Sequence, residues 1–415
     1  MTPQETIWTI AAIATTGVIL RPFNWPEAIW AVVGATLLVA LQLISPQDVF
    51  TGVAKGSDVY LFLIGMMLLA EVARAEGLFD WLAAVATSRA RGSAHRLFAL
   101  TYGVGIVVTV FLSNDATAVV LTPAVAAAVK AAKVAKPLPY LLICAFIANA
   151  ASFVLPISNP ANLVIYGNHM PPLMKWLPAY LLPSTLAIAA TYIVLRWTQR
   201  HALDQPIANE VPVPMLTAAG KTAAIGIAAT ACVLLASSAA DIQLGLPTAI
   251  AGALTAVIVL IRERKPPWQV LRDVSWGVLP LVAGLFVLVE ALAKTGVIAI
   301  VTGLLSDGKS VTWLAGAAGA AVALASNLMN NLPVGLIAGS AVQNADVSEQ
   351  VTRAILIGVD LGPNLSVTGS LATILWLTAL RREGQAIGAG PFLKLGVLVM
   401  PPALVLAIAA AVLLP

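Results

Sequence analysis

The stretch from residue 96 to residue 132 reads RLFALTYGVGIVVTVFLSNDATAVVLTPAVAAAVKAA, an apolar run interrupted at its centre by Ser113-Asn114-Asp115. A single membrane-spanning helix needs about 20 apolar residues, so this run is long enough for two membrane segments. Polar backbone at membrane depth is tolerated only where it lines a cavity enclosed by protein. The stretch therefore predicts a re-entrant hairpin that enters and leaves the membrane on one side, with the polar residues at its tip.

The composition of the whole chain is that of a membrane protein. Of its 415 residues, 60% are hydrophobic and only 10% are charged, and the mean hydropathy is +0.93. Soluble globular proteins carry about 25% charged residues. We therefore predict an all-α polytopic membrane protein whose solvent is the lipid bilayer. Most basic residues lie in short loops between apolar runs, so the net charge of +4 gives no reason to expect nucleic acid as a partner.

The sequence carries no motif of an ATPase or of a metal site. It has no Walker A sequence and no glycine-rich loop before Lys-Ser/Thr, so we expect no ATP hydrolysis, no catalytic residue and no cofactor. Cys144 and Cys232 lie in apolar runs without metal-ligand spacing, and we interpret both as buried small hydrophobic residues. An ion gradient, or a separate ATPase subunit, would have to supply the energy for any transport.

Several features of the first half recur in the same order in the second half. Gly65, Glu71 and Gly77 recur at identical spacing as Gly284, Glu290 and Gly296. This recurrence predicts an internal duplication. The predicted first repeat covers residues 1–199, with a hairpin at about 96–132 and a broken helix at about 139–166. A cytoplasmic linker at 200–215 precedes the second repeat at 216–415, with a hairpin at about 311–342 and a broken helix at about 351–377.

The distribution of basic residues predicts how the chain lies in the membrane. Each repeat is expected to have five transmembrane helices plus one re-entrant hairpin, and an odd number of crossings makes the two repeats inverted. On this topology 18 of the 23 basic residues fall on one side, which the positive-inside rule identifies as the cytoplasm. Both termini are then periplasmic in a bacterial inner membrane. The other side receives Lys55, Lys175, Lys294, Lys309 and Arg353.

Four polar islands interrupt the apolar runs and are the candidate solute site. Proline and glycine unwind the helices there, and asparagine, serine and threonine can replace the hydration shell of a small solute. The predicted substrate-binding residues are Ser113, Asn114, Thr117, Ser158, Asn159, Asn162, Asn330, Asn331, Asn364, Thr368 and Ser370. The predicted structural breaks are Pro156, Pro160, Gly362, Pro363 and Gly369. Any one of these polar residues could equally serve to join neighbouring helices.

Two carboxyl groups fall within the islands, at Asp115 and Asp360. An ionisable residue at mid-membrane is costly and is functional by default, so we predict that these two residues couple transport to protons. Glu71 and Glu290 lie at matching positions near helix ends. Their pattern fits a structural ion pair as well as a proton site, and both interpretations stay open.

The islands resemble those of the ArsB arsenite efflux permeases, the arsenical pump membrane proteins of the ion transporter superfamily. The residues that carry the resemblance are Phe111-Leu112-Ser113-Asn114-Asp115 with Leu121-Thr122-Pro123, Met329-Asn330-Asn331-Leu332-Pro333, and Asp360-Leu361-Gly362-Pro363-Asn364 with Thr368-Gly369-Ser370-Leu371-Ala372-Thr373-Ile374-Leu375-Trp376. The resemblance extends over nearly the whole chain. Asn149 stands where it leads us to expect Asp, and Asn364 stands where some members have Lys.

The resemblance implies export of arsenite and antimonite from the cytoplasm, and so arsenic resistance. Arsenite at neutral pH is mostly uncharged As(OH)3, which suits neutral amide and hydroxyl groups. The islands contain no basic residue. That absence argues against a carboxylate substrate, which would need a cation or several aligned helix N-termini.

Three hypotheses follow. The first is proton-coupled arsenite efflux by an elevator-like movement of the hairpins and broken helices. The second is a sodium/proton antiporter of the same superfamily, in which Asp115 and Asp360 hold the cation directly. The third is a membrane channel subunit that moves arsenite when a cytoplasmic arsenical ATPase drives it. The basic loop at 262–265 could receive that ATPase, although the positive-inside topology explains the loop equally well.

Overall fold

A computed structural model describes residues 2–306, 310–345 and 347–413, and over these residues the chain forms helices with no β-strand. One isolated β-bridge joins Ser93 to Pro206. Lys309, which the sequence assigns to the outer side, lies outside the described residues, as do the chain ends at 1 and 414–415. The all-α prediction is therefore confirmed for the part of the chain that can be described.

From residue 2 to residue 203 the chain contains twelve α-helices. They are α1 Pro3–Leu20, α2 Glu27–Ala40, α3 Pro46–Lys55, α4 Ser57–Ala75, α5 Leu78–Arg89, α6 Ala94–Phe111, α7 Asn114–Ala116, α8 Thr122–Ala131, α9 Leu138–Ala150, α10 Pro160–Tyr166, α11 Leu173–Thr198 and α12 Arg200–Leu203. A π-helical segment, Thr117–Leu121, joins α7 to α8, and a 3₁₀ turn, Pro156–Ser158, lies between α9 and α10.

The described part of the second half contains ten α-helices. They are α13 Ala218–Ala239, α14 Gly245–Glu263, α15 Pro267–Asp273, α16 Val278–Lys294, α17 Val297–Leu305, α18 Val311–Met329, α19 Asn331–Asn344, α20 Glu349–Leu361, α21 Leu371–Arg382 and α22 Ala389–Leu413. A 3₁₀ turn, Gly362–Leu365, lies between α20 and α21.

The helices confirm a polytopic membrane protein. Six described helices are long and apolar enough to cross a membrane, and the number rises to eight if each of two bent pairs counts as one span. The six are α6, α11, α13, α14, α18 and α22, and the bent pairs are α3 with α4 and α15 with α16. Cys144 is buried as expected, but the prediction for Cys232 is wrong. Cys232 is exposed because it lies on the face of α13 that points away from the bundle.

The order of helices in the first half occurs again in the second. The bend between α3 and α4 measures 49°, and that between α15 and α16 measures 42°. Gly77 before α5 and Gly296 before α17 both adopt the left-handed conformation, with φ of 73° and 87°, which glycine tolerates without strain. These matching glycines are the ones that the sequence alignment pairs. The inverted orientation of the two copies stays a prediction.

The two halves pack reciprocally through close backbone contacts. Helix α4 packs against α14 of the other half, and α16 packs against α2. A Cβ atom on Gly65 would lie 2.2 Å from the Thr248 carbonyl oxygen, and one on Gly284 would lie 2.8 Å from the Ala31 carbonyl carbon. Lipid gives apolar helices no hydrophobic reason to associate, so small residues that admit close backbone packing hold such crossings together.

Ion pairs flank both crossings. Lys55 at the end of α3 pairs with Glu290 of α16 at 2.6 Å. Arg74 of α4 pairs with Glu71 on its own helix and with Asp273 of α15 at 3.1 Å. Of the two interpretations left open for Glu71 and Glu290, these contacts favour the structural ion pair.

Candidate functional site

A helix begins at each of the four breaks, and a polar side chain caps each start. Ser113 Oγ accepts a hydrogen bond from the Ala116 N–H at 3.2 Å, and Asn330 Oδ1 accepts one from the Leu332 N–H at 3.3 Å. In the broken helices, Asn159 Oδ1 accepts from the Ala161 N–H at 3.0 Å, and Ser370 Oγ accepts from the Thr373 N–H at 3.1 Å. Side-chain oxygens are favoured at such positions because the first backbone N–H groups of a helix have no partner within it.

The four capped starts meet at a small chamber of about 30 Å³. Room of this size holds about one or two water molecules. The polar side chains in its wall belong to Asn114, Asp115, Asn159 and Asn331, and its apolar wall includes Val59 and Val282 from α4 and α16. The chamber therefore lies between the broken segments and the crossing helices of the scaffold.

A larger cavity of about 640 Å³ adjoins the chamber and shares Asp115 and Pro160 with it. Its walls are largely apolar, from α4 and from the segment 116–123. Charged side chains line its other end, namely Glu71, Arg74, Arg272, Asp273, Arg382 and Glu383. The three arginines are all on the side that the sequence assigns to the cytoplasm.

Three groups in the chamber wall have hydrogen-bonding capacity to offer a solute. Within the described part of the chain, the Asp115 carboxyl has no hydrogen bond or ion pair, and the Asn331 side-chain amide has no partner. Asn114 uses its Oδ1 to accept from the Asp115 N–H at 2.9 Å, which leaves its NH₂ group available. A small solute with hydroxyl groups finds both donors and acceptors here.

Asp360 is fully buried behind the chamber. Its Oδ1 accepts from Asn159 Nδ2 at 2.8 Å, and its Oδ2 lies 2.6 Å from Ser152 Oγ. Ser152 Oγ also lies 2.7 Å from the Asn149 carbonyl oxygen, which can only accept. The Asn149 carbonyl oxygen also accepts from the Ser152 backbone N–H at 3.4 Å, so the Ser152 hydroxyl can donate to an ionised Asp360, whereas a protonated Asp360 can itself donate to Ser152.

Asn149 lies at the matching position of the first half, since it is the last residue but one of α9 as Asp360 is of α20. Its Nδ2 donates to Asn364 Oδ1 at 3.0 Å, and its Oδ1 accepts from Ser370 Oγ at 3.3 Å. Asn364 in turn donates to the Phe146 carbonyl oxygen at 3.0 Å. Each of the two matching residues therefore bonds to the break of the other half.

The predicted site residues divide into two groups. Those in the walls of the chamber or cavity are Ser113, Asn114, Asp115, Asn159, Pro160 and Asn331. The others fix the breaks from behind: Thr117, Ser158, Asn162, Asn330, Asn364, Thr368 and Ser370 form hydrogen bonds within the protein. Pro156, Gly362 and Pro363 lie in the 3₁₀ turns, and Gly369 accepts from the Asn331 N–H at 2.8 Å.

Sequence reasoning did not single out Ser152 or the charged cavity end. Ser152 stands three residues after Asn149, a spacing that lets a hydroxyl reach the carbonyl of a helix end. That spacing was the available signal for Ser152. The charged residues at the cavity end, by contrast, come from segments far apart in sequence, which only the fold brings together.

Residues 10–359 match the family described as Citrate transporter. The chain is 26% identical over 396 residues to the arsenical pump membrane protein of Escherichia coli (strain K12), with 92% of each chain covered. It is 24% identical over 416 residues to a putative arsenical pump membrane protein of Bacillus subtilis (strain 168), with 92% of this chain and 93% of the relative covered. The resemblance that the polar islands predict is confirmed.

An uncharacterized transporter of Mycobacterium tuberculosis is 27% identical over 401 residues, with 91% of each chain covered. Among solved structures, the crystal structure of the Alcanivorax borkumensis YdaH transporter, described as having an unusual topology, matches with a TM-score of 0.56 at 15% identity. The match covers 88% of this chain and 86% of that one. The helical fold is therefore shared with a known transporter.

Proposed function

We propose that this chain, which belongs to the citrate transporter family and is therefore a multi-pass membrane transporter rather than an enzyme, exports arsenite from the cytoplasm. The observation that carries the proposal is the chamber wall, in which, within the described residues, the Asn114 NH₂ group and the Asn331 side-chain amide have no protein partner. Such groups suit an uncharged solute with three hydroxyls. The names of the curated relatives point to the same class of substrate, and antimonite, as a similar hydroxide, is expected to share the site.

Proton entry is the proposed energy source, with Asp360 and Asp115 as the coupling residues. A proton on Asp360 would let this carboxyl donate to Ser152 Oγ, 2.6 Å away, and would leave the Ser152 hydroxyl free to donate to the Asn149 carbonyl oxygen. Asp115 faces the cavity and can exchange protons with its water. A proton that reaches Asp360 from the outer side would leave through the cavity into the cytoplasm as arsenite moves the other way.

We further propose that the protein lies in a bacterial inner membrane with two inverted repeats and both termini in the periplasm. On that topology the large cavity opens to the cytoplasm, because Arg74, Arg272 and Arg382 surround its charged end. The hairpins and broken helices would then move as a unit against the scaffold of α2, α4, α14 and α16. This elevator-like movement would carry the chamber to the other side.

Counterflow of arsenite in proteoliposomes that contain only the purified chain tests the proposal. We expect exchange of arsenite without a gradient, and net movement against its concentration when an inward proton gradient is imposed. Antimonite should compete. Exchange that appears only with an added ATPase subunit would contradict an autonomous transporter, and dissipation of a pH gradient by sodium without arsenite would favour a sodium/proton antiporter.

A carboxylate is the second candidate substrate, and a specific feature of the chamber favours it. The polar islands contain no basic residue, so a carboxylate substrate would need several aligned helix N-termini. The starts of α7, α10, α19 and α21 all contribute to the chamber wall, and helix starts favour anions. The family description points the same way. Inhibition of arsenite counterflow by citrate, followed by uptake of labelled citrate, would support this alternative.

A further inference from the structure

The side chain of Asn159 forms hydrogen bonds to two different parts of the protein. Its Nδ2 donates to Asp360 Oδ1 at 2.8 Å, and its Oδ1 accepts from the Ala161 N–H at the start of α10 at 3.0 Å. Asn159, Pro160 and Ala161 also form part of the chamber wall. A single planar amide therefore joins the buried carboxyl to the backbone that a solute would touch.

We propose that Asn159 is a positioning residue that couples the protonation of Asp360 to the shape of the chamber. This inference rests on the proposed proton-coupled transport and assigns to Asn159 a role other than direct substrate binding. Because the oxygen and nitrogen of an amide are fixed relative to each other, a shift at the Asp360 end moves the start of α10. The side chain is 3% exposed and has little freedom to absorb that shift.

The two states of Asp360 place different demands on Asn159. With a neutral carboxyl, the Oδ2 hydroxyl donates to Ser152, which donates to the Asn149 carbonyl oxygen. When Asp360 loses its proton to water, the Ser152 hydroxyl turns towards the carboxylate. The bond from Asn159 then becomes charge-assisted, and such bonds are shorter and about twice as strong as neutral ones. Of the two side chains bonded to the Asp360 carboxyl, Asn159 belongs to the chamber wall and Ser152 does not.

Few other ionisable groups surround this pair, and Asp115 is the carboxyl that shares the chamber wall with Asn159. Tyr180 on α11 lies within electrostatic range of Asp360, and its hydroxyl is 2.7 Å from that of Tyr166 on α10. Arg353 on α20 is near both tyrosines and pairs with Glu349 at 2.7 Å. Of the other helices packed on α20, α18 and α19 carry no acidic or basic residue, α9 carries Tyr140 and Cys144, and α22 carries an exposed Lys394. Asn159 and Ser152 are thus the two side chains bonded to the carboxyl.

An exchange of the two side chains tests the proposal. Asn159→Asp keeps the oxygen that caps α10 but removes the donor and sets a second carboxyl against Asp360. Two facing carboxyls share their protons and titrate as a pair, so we expect the pH profile of proton-driven arsenite transport to differ from that of the parent chain, with a loss of about tenfold or more at pH 7. The double variant Asn159→Asp/Asp360→Asn restores one carboxyl and one amide, and should recover most of that loss.

Asn330→Asp is the matched control, since Asn330 also caps a helix start at a break but has no bond to Asp360. Combined with Asp360→Asn, it should show no recovery. A double variant of Asn159 and Asp360 as inactive as Asp360→Asn alone, or an unchanged pH profile in Asn159→Asp, would overturn the proposal. Infrared difference spectra of the carboxyl C=O band between acid and alkaline pH give a second readout without arsenite. Asn159→Ala, which removes the donor to Asp360 without adding a carboxyl, should shift the band that Asp360→Asn abolishes; an unshifted band would overturn the coupling even if arsenite proves not to be the substrate.

Discussion

Asn149 and Asp360 occupy matching positions in the two halves, each near the end of the long arm of a broken helix, yet one side chain can ionise and the other cannot. Asn149 bonds to Asn364 and Ser370 of the second half, and Asp360 bonds to Ser152 and Asn159 of the first. The scaffold crossings around them are alike in both halves. The difference teaches that matching helices can pack alike in both halves while only one of the two crossed contacts contains a group that can carry a proton.

The largest effect is expected from Asp360→Asn, which makes the two positions chemically alike. Uptake of arsenite into everted vesicles under a proton gradient should fall by about 100-fold, because no group at this position can take up a proton. Arsenite counterflow, which needs no net proton movement, should persist. Retained proton-driven uptake would contradict the assignment of coupling to this position.

The reverse change, Asn149→Asp, gives the first half a carboxyl of its own. It removes the donor to Asn364 and buries an acid against acceptors, at an expected cost of about 2 kcal/mol at pH 7. The neutral acid can donate where the carboxylate cannot, so the loss of stability should shrink as the pH falls. Thermal unfolding in detergent at several pH values measures both effects. An equal loss of stability at every pH would show that the charge of the new carboxyl at position 149 does not affect the stability of the protein.

Asp115→Asn separates the half-buried carboxyl that faces the chamber from the fully buried carboxyl of Asp360. Within the described residues Asp115 has no protein partner, so the substitution should leave the unfolding temperature unchanged. We expect counterflow of arsenite to fall by about tenfold, because the carboxyl faces the chamber. A fall in stability with no effect on counterflow would assign Asp115 to the framework instead.

The smallest effects test the likeness of the two scaffolds. Gly65→Ala and Gly284→Ala should each destabilise the protein by about 1 kcal/mol, since both Cβ atoms would press on the backbone of the opposite half. Gly303→Ala is a control, because no atom of the described residues lies within 4 Å of the added carbon. Unfolding temperatures in detergent provide the comparison. A loss at Gly65 alone would show that the two crossings are not equivalent.

The sequence was sufficient to predict the class of fold and the places where helices break. Gly77 and Gly296 adopt the left-handed backbone conformation, which is a local requirement for glycine. The apolar runs around Ser113 and Asn330 are long enough to be recognised as membrane segments with a central break. The partners of Asp360 were beyond prediction, because Ser152 and Asn159 are about 200 residues away and meet it only through tertiary packing. Asn364 is of a residue type that can bind a solute, but its side chain forms hydrogen bonds to Asn149 and to the Phe146 carbonyl oxygen within the protein.

The reciprocal crossing of α4 with α14 and of α2 with α16 has a consequence for how such a protein can be divided. A polypeptide that ends in the segment 204–215 would expose the surface around Gly65, which α14 covers in the whole chain. The remaining piece would expose the surface of α14 around Gly252, which contacts the Gly65 backbone in the whole chain. Neither fragment has a complete scaffold, so the two would be obliged to associate when made separately.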